Sequence, residues 1–172
     1  NLSKKLSSDV DDMEKMLNEY LQFASTGAKD KTETFDISEL ILKLINNYSN
    51  PNIIQNFKDE IYFNGRKNLI ARCINNLIEN SLKYAKKVEI SMEKKKDNLM
   101  IMVSDDGPGV PEKEHENIIK PFYKIDKSRS ESKSSVGLGL SIASDISRSH
   151  GGDIKFAKSK FGGLEVSISL PF

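Results

Sequence analysis

The chain has 172 residues, enough for one sizeable domain and a smaller element. Its hydrophobic content of 37% and charged content of 30% are those of an ordinary soluble globular protein, and a net charge of +1 excludes bulk attraction to nucleic acid or an acidic membrane. The single cysteine, Cys73, excludes an intrachain disulfide framework, and the first residue is Asn rather than Met, so we expect a piece of a longer protein.

The first segment has the pattern of an amphipathic helix. Its apolar residues are spaced as in a coiled-coil or helical-bundle seam. We assign residues 1–26 to a partial dimerisation helix, 27–33 to a polar linker and 34–172 to a second domain. A helix packed on its own domain is the alternative that this spacing leaves open. The seam residues are Leu6, Val10, Met13, Leu17, Tyr20 and Ala24.

Strand and helix patterns alternate after the linker. Ser38 is the predicted cap of the first helix, and Gly151 with Gly152 ends the last one. The expected fold class is α/β, a two-layer sandwich of a mixed sheet and helices preceded by one long N-terminal helix. Strands are predicted at 34–37, 53–57, 60–63, 88–93, 99–104, 153–157 and 163–170, and helices at 38–48, 66–84 and 139–150.

The predicted helix 66–84 carries four polar residues on one side. Residues spaced by 4, 3 and 1 fall within about 100° of one another on a helix. An asparagine oxygen suits Mg²⁺, a lysine meets a phosphate as a point charge, and a tyrosine ring can contact a base or ribose. An ordinary solvated helix face is the alternative. The four residues are Asn76, Asn80, Lys83 and Tyr84.

The predicted strand 99–104 runs into an acidic turn that contains two glycines. Asp105, at the strand end, can accept a hydrogen bond from the exocyclic amine of adenine, where guanine carries an oxygen. Asp106 is expected to point the other way. Gly107 and Gly109 let the backbone approach a base closely. A Pro-Gly turn with acidic flanks is the other interpretation of this box.

A glycine box, Gly137-Leu138-Gly139-Leu140, leads into the last predicted helix. Exposed N–H groups at a helix start, with the helix dipole, form an anion site. The box lacks the third glycine of a dinucleotide fingerprint and the Gly-Lys-Ser/Thr of a P-loop. The polar stretch before it suits a lid over phosphates, with a passive surface loop as the alternative. The cations of this lid are Lys124, Lys127, Arg129 and Lys133.

With Pro121–Lys124 (PFYK), these boxes resemble the ATP-binding domain of sensor histidine kinases, within the group shared with gyrase-type ATPases, Hsp90 and MutL. The resemblance covers about residues 34–172 and implies the Bergerat fold, with ATP and Mg²⁺ as cofactors. It implies that Asn80 is the metal ligand, that Asp105 reads adenine and that Phe122 anchors the lid. The implied catalytic residues are Asn76, Asn80 and Lys83, and the implied cofactor-binding residues are Asn76, Asn80, Lys83, Tyr84, Asp105, Gly107, Gly109, Lys124, Gly137, Leu138, Gly139 and Leu140.

One position favours phosphoryl transfer over hydrolysis. The hydrolysing relatives carry a glutamate four residues before the magnesium asparagine, and Asn76 stands there in this chain. The resemblance therefore implies an ATP-dependent histidine kinase that phosphorylates a histidine on a dimerisation helix absent from this chain, which would be inactive alone. Neither His115 nor His150 is expected to be that acceptor.

The wider setting follows from the same resemblance. It implies a homodimeric parent protein, a response regulator as partner, no nucleic-acid partner, and a cytoplasmic domain of an inner-membrane sensor. The N-terminal helix is similar to the second helix of the kinase dimerisation bundle, closest to the osmosensor class. Two alternatives remain open: a protein serine kinase of the anti-sigma-factor type and a non-catalytic nucleotide-sensing interaction module.

Overall fold

The computed structural model describes residues 30–125 and 137–172, together with ten residues near the N-terminus. These ten have helical backbone, as predicted, and their large apolar side chains are 52–66% exposed. Among the described residues, no helix is both long and apolar enough to cross a membrane. The predicted seam residue Ala24 and the lid cations after Lys124 lie outside the described residues. The ten are residues 6, 7, 10, 11, 13, 14, 17, 18, 20 and 21.

From Thr32 onward the described residues contain every helix and strand that the periodicity predicts, with ends shifted by up to three residues. The short helical turns after residue 111 were not predicted, because a polar run of seven residues carries no clear period. In chain order the elements are β1 (Thr32–Asp36), α1 (Ile37–Asn46), β2 (Ile53–Asn56), β3 (Tyr62–Arg66), α2 (Lys67–Tyr84), β4 (Val88–Lys94), β5 (Asn98–Asp105), a 3₁₀ turn (Glu112–Glu114), α3 (His115–Ile118), α4 (Gly139–Ser149), β6 (Asp153–Lys158) and β7 (Leu164–Pro171).

The main sheet has five strands in the order β2-β4-β5-β7-β6. Strand β2 is parallel to β4, and the other neighbours are antiparallel. Strands β1 and β3 form a separate antiparallel pair, so the expectation of one sheet was wrong in this respect. Both run without a loop into a helix, β1 into α1 and β3 into α2.

The core lies between the main sheet and the helices. Alternate residues of β5 and β7 are fully buried, as period-two strands with one covered face require. The apolar stripe of α2 packs against them and includes Ile74, Leu77 and Ile78, each 0% exposed. This packing fixes the rotation of α2, and with it the direction in which its polar flank faces.

Helix α1 begins one residue before its predicted cap. The Asp36 side chain accepts a hydrogen bond from the N–H of Ser38 at 2.8 Å and is the N-cap, so the prediction of Ser38 was wrong. Ser38 is buried instead. Its Oγ donates to the carbonyl of Asp59 at 2.8 Å and accepts from the N–H of Ile61 at 3.1 Å. Strand β1 also begins at Thr32, inside the predicted linker, because Thr32 pairs with Arg66.

Candidate nucleotide-binding site

Helix α2 carries two asparagines on the flank of its buried stripe. Because Leu77 and Ile78 are buried, Asn76 and Asn80 lie at the edge of the core, partly exposed. The start of α4 packs on the first of them, since a Cβ added to Gly139 would lie 3.9 Å from the Asn76 Cβ. The structure thus brings the asparagine box and the glycine box into contact.

The side-chain amide of Asn76 is an unsatisfied donor. Its Nδ2 is buried and has no hydrogen-bond partner among the residues that the structure describes. Buried polar groups are nearly always paired, so an orphaned donor indicates a partner that arrives from outside. A phosphate or ribose oxygen is an acceptor of the right kind for this nitrogen.

The last turn of α2 brings a cation and an aromatic ring together. The Nζ of Lys83 lies 4.8 Å from the centroid of the Tyr84 ring, and that ring is 53% exposed. Attraction between the ammonium and the ring face helps to orient both side chains. Asn80 lies one turn earlier on the same helix. This end of α2 can therefore offer an amide oxygen, an ammonium and a ring to one ligand.

The carboxylate of Asp105 is buried and fixed by backbone groups at the end of β5. Its Oδ1 accepts from the N–H of Gly107 at 2.9 Å and from the N–H of Leu164 at 3.0 Å. The carbonyl of Asp105 accepts from the N–H of Gly163 at 3.2 Å. Within 30–125 and 137–172 no hydrogen bond reaches Oδ2. One oxygen is thus held by the protein, and the other can accept from an amine such as that of adenine.

The neighbouring carboxylate, Asp106, is engaged elsewhere, as expected from strand geometry. Its Oδ1 accepts from the N–H groups of Lys87 and Lys86, each at 2.8 Å. The hydrogen bond from the Lys87 N–H is the main reason that the pKa of Asp106 is below its ordinary value, and the bond from Lys86 adds to this effect. Asp106 therefore ties the start of β4 to the turn after β5 and leaves the site to Asp105.

The glycines of this turn permit close backbone contacts. A Cβ on Gly107 would lie 3.1 Å from Oδ1 of Asp105 and 3.2 Å from the carbonyl oxygen of Tyr84. Gly109 has a φ of +74°, a conformation that side chains rarely adopt. The turn can therefore lie against both the end of α2 and the buried carboxylate.

The PFYK box and the glycine box meet at the base of segment 126–136. The N–H of Phe122 donates to the carbonyl of Gly137 at 3.0 Å, and both residues have positive φ, +65° and +79°. A Cβ on Gly137 would lie 3.1 Å from the carbonyl oxygen of Tyr123. The residues that flank the predicted lid are thus held side by side, with Lys124 partly exposed next to them.

The start of α4 has the character of an anion site. Leu138, at the N-cap position, is buried and supplies no side-chain cap, and the first turn contains no acidic residue. The first N–H groups of a helix have no partner within it and lie at the positive end of the helix dipole. Around Gly139 and Leu140 these groups can therefore bind a phosphate.

Two residues outside the predicted boxes also shape the site. Gly163 has no room for a side chain, because a Cβ there would lie 2.2 Å from Oδ1 of Asp105 and 2.5 Å from the nitrogen of Gly107. Leu164 supplies one of the N–H groups that hold the same carboxylate. Their only signal in the sequence is a Gly-Gly pair before a strand, which reads as an ordinary turn.

Glu79, the carboxylate nearest to Asn80 in the sequence, is held toward the end of α1. Its Oε1 accepts from Nδ2 of Asn75 at 2.8 Å, and Oδ1 of Asn75 accepts from the hydroxyl of Tyr48 at 2.5 Å. Burial, followed by the negative charge of Glu79, raises the pKa of Tyr48 to about 12. Glu79 therefore belongs to a network on the flank of α2 away from Asn80.

This combination of a buried strand-end carboxylate, an asparagine helix and an uncapped glycine-rich helix start points to a nucleotide site. Residues 65–172, well over half of the chain, match the family of histidine kinase-, DNA gyrase B- and HSP90-like ATPases. The chain belongs to this ATPase family. The predictions of the family and of ATP as its nucleotide are confirmed.

The relatives narrow the type of ATPase domain. The chain is 31% identical over 99% of its length to the sensor histidine kinase GtrS of Pseudomonas aeruginosa, and 28% identical over 98% to CpxA of Escherichia coli K12. It spans 36% and 39% of the lengths of those two proteins. This ATPase domain is therefore of the sensor histidine kinase type.

The fold agrees with a solved structure. The ATP-binding domain of PrrB from Mycobacterium tuberculosis superposes with a TM-score of 0.68, covering 83% of this chain and 98% of that one at 22% identity. The prediction of an α/β sandwich of the Bergerat type is thus confirmed.

Proposed function

We propose that this domain binds Mg²⁺-ATP and transfers the γ-phosphoryl group to a histidine on a dimerisation helix absent from the chain. The observation that carries the proposal is the amide at Asn76, where a hydrolase needs a carboxylate, together with the tethering of Glu79 to Asn75. Because Asn76 is neutral and Glu79 is bonded to Asn75, neither residue activates water at the asparagine flank of α2. Bound ATP then persists until an acceptor side chain arrives.

The adenine end of the site is formed by Asp105, Tyr84 and the turn that carries Gly107 and Gly109. Oδ2 of Asp105 accepts the exocyclic amine, because its partner oxygen is already occupied by two N–H groups. Guanine would place a carbonyl oxygen against this carboxylate and be repelled. The exposed ring of Tyr84 contacts the base or ribose.

The phosphate end is formed where α2 meets the start of α4. Asn76 Nδ2 and the uncapped helix start offer donors there, and Lys83, two turns farther along α2, adds its positive charge for the phosphates. Positioning and charge stabilisation are what phosphoryl transfer requires of a protein. The remaining contacts on the phosphates are Lys124, Gly137, Leu138, Gly139 and Leu140.

Mg²⁺ fits this site through Asn80. No group of three or more His, Cys, Asp or Glu residues in the described part of the chain could hold a metal ion by itself. Mg²⁺ commonly takes one or two protein oxygens, with phosphates and water completing its shell. The neutral Asn80 oxygen suits an ion whose charge is balanced by ATP. The ion would supply charge neutralisation between the phosphates.

The N-terminal helix supports a dimeric setting. Its exposed apolar residues need a partner surface, and we assign residues 1–26 to one arm of a dimerisation bundle, 27–33 to a linker and 34–172 to the catalytic domain. The parent protein is then a homodimer that passes the phosphoryl group to a response regulator. We place this domain on the cytoplasmic side of an inner-membrane sensor.

Phosphoryl transfer in trans tests the proposal. The chain is mixed with γ-labelled Mg²⁺-ATP and with a dimerisation domain, from a relative such as GtrS, that contains the acceptor histidine. We expect acid-labile, alkali-stable label on that domain and none on the chain alone. Asn80→Ala should abolish transfer with circular dichroism unchanged, whereas Asn46→Ala, the same change at an exposed position of α1, should preserve it.

Other outcomes identify the alternatives. Acid-stable, alkali-labile label would indicate a serine kinase. Tight ATP binding without transfer to any acceptor domain would indicate an interaction module. Rapid ATP hydrolysis by the chain alone would contradict the role given to Asn76.

A further inference from the structure

The first turn of α2 is held by residues from two other parts of the fold. Arg66, at its N-cap position, provides no side-chain cap. The Oδ2 of Asp30 accepts instead from the N–H of Leu69 at 3.1 Å, and Oδ1 accepts from Nδ2 of Asn68 at 2.8 Å. A carboxylate at this position satisfies an unpaired helix donor and complements the helix dipole.

The strand register explains why Asp30 reaches this turn. Thr32 is the residue of β1 that pairs with Arg66, the last residue of β3. Because β3 continues without a loop into α2, the residue two positions before Thr32 lies beside the first turn of the helix. Asp30 is therefore placed by the β1–β3 pair and not by α2 itself.

The second holder is His150, at the end of α4. Its Nδ1 lies 2.8 Å from the carbonyl oxygen of Ile146, so Nδ1 carries the proton and Nε2 is free to accept. Nε2 accepts from the N–H of Arg66 at 3.2 Å. The turn that follows is closely packed, because a Cβ on Gly152 would lie 1.9 Å from the carbonyl oxygen of Ser169.

Arg66 adds a second connection between the same two helix ends. Its guanidinium donates from Nη2 to the carbonyl of Ser149 at 3.1 Å and to the Ser149 hydroxyl at 2.6 Å. A cation at the last carbonyls of a helix is favourable for the dipole of α4. The start of α2 is thus joined to the end of α4 by backbone and side-chain bonds.

We propose that Asp30 and His150 are positioning residues for the nucleotide site, which fix the first turn of α2 against the last turn of α4 and so hold Asn76 beside Gly139. The two helices run antiparallel and pack along their length, with the Cys73 Sγ 3.5 Å from the Ala143 carbonyl oxygen. Asn76 lies about 14 Å along α2 from its start. A shift at the anchored ends is carried along these rigid elements to the site.

This inference rests on nucleotide binding at α2 and α4 and not on phosphoryl transfer. Its test is the Kd for Mg²⁺-ADP, measured by titration calorimetry well below the melting temperature on the whole chain. Asp30→Ala should weaken binding by about 5-fold or more, a typical lower value for coupling between sites. Asp30→Asn keeps an acceptor for the Leu69 N–H and should recover most of the affinity. Asp97→Ala, which removes an exposed carboxylate elsewhere, should change nothing.

Hydrogen exchange distinguishes a positioning role of Asp30 from a purely local role in the first turn of α2. Since coupling is reciprocal, Mg²⁺-ADP should slow exchange of the Leu69 amide in the wild type and much less in Asp30→Ala. The inference would be overturned if the Kd of Asp30→Ala lay within about 2-fold of the wild-type value and nucleotide still slowed exchange of the Leu69 amide. Failure of the wild type to bind nucleotide would instead contradict the proposed site.

His150 provides a second, independent variant. Protonation of Nε2 would place an N–H against the N–H of Arg66 and a positive charge near the Arg66 guanidinium, and both effects disfavour the protonated ring. The nearby carboxylate of Asp30 acts in the other direction and favours the protonated ring. Wild-type affinity should therefore fall as the pH is lowered below about 6.5, and by more than that of His150→Gln, which cannot titrate. Parallel pH profiles would count against a positioning role for His150.

Discussion

Gly163→Ala tests whether the position of the Asp105 carboxylate depends on its close packing against Gly163, the residue before β7. The added Cβ would lie 2.2 Å from Oδ1 of Asp105 and 2.5 Å from the nitrogen of Gly107, whereas ordinary contacts begin near 3.4 Å. The carboxylate or its turn must therefore move by about 1.2 Å. Oδ1 is held by the N–H groups of Gly107 and Leu164, and the other close atoms are backbone, so this movement displaces the adenine-reading group itself.

The size of the effect follows from the hydrogen bonds at stake. A shift of this size lengthens the 3.0 Å bond from the Leu164 N–H beyond bonding distance and turns Oδ2 away from the base. Loss of one hydrogen bond to a charged group costs about 1.5–3 kcal/mol. The Kd for Mg²⁺-ADP should accordingly rise about 10- to 150-fold, measured by calorimetry at 25 °C on protein that circular dichroism shows to be folded.

Gly162→Ala is the matched control. Gly162 has a φ of +97°, but a Cβ there meets nothing within 4 Å. Alanine at either position should lower the melting temperature, through backbone strain at 162 and crowding at 163, yet only Gly163→Ala should weaken binding. Folded Gly163→Ala with wild-type affinity would refute this reasoning, as would equal weakening by both variants.

Three further predictions concern stability and reactivity. Asp36→Ala removes the cap of α1 and should lower the free energy of unfolding in urea by about 1 kcal/mol. Asp36→Asn keeps a capping oxygen and should be close to wild type, so equal destabilisation by both variants would contradict the capping role. Burial raises the pKa of Cys73 to about 12, so a thiol reagent at pH 8 should label the native protein far more slowly than the unfolded one. Burial also lowers the pKa of His150, so the unfolded state binds its proton at higher pH. This contribution to stability should be complete above about pH 6.5 and should decline as the pH falls below it, a slope that thermal melts should show in the wild type and not in His150→Gln.

Periodicity was sufficient to locate the elements that bury one face. The alternating residues of β5 and β7 and the stripe of α2 are where the pattern predicts them, because burial of these residues is what creates the pattern. The same reasoning predicts the side of α2 on which Asn76 and Asn80 lie. It cannot predict that Asn76 packs on Gly139, which depends on how two distant helices meet.

Features that depend on long-range pairing were beyond sequence reasoning. The N–H of Leu164 and the carboxylate of Asp105 are 59 residues apart in the chain and meet only when β5 pairs with β7. The β1–β3 pair similarly places Asp30 at the start of α2. The cap of α1 was misassigned because Asp36 and Ser38 are both good capping residues, and only the burial of Ser38 decides between them.

Under the proposed function, the asparagines of α2, the Asp105 turn and the glycine box form one adenine-specific, magnesium-dependent site. The most direct measurement is calorimetric titration of the chain with ATP and with GTP, each with Mg²⁺ and with EDTA. We expect Mg²⁺-ATP to bind at least about 100-fold more tightly than Mg²⁺-GTP, with the preference reduced in Asp105→Asn and the effect of Mg²⁺ lost in Asn80→Ala. Equal affinity for the two nucleotides would contradict the account.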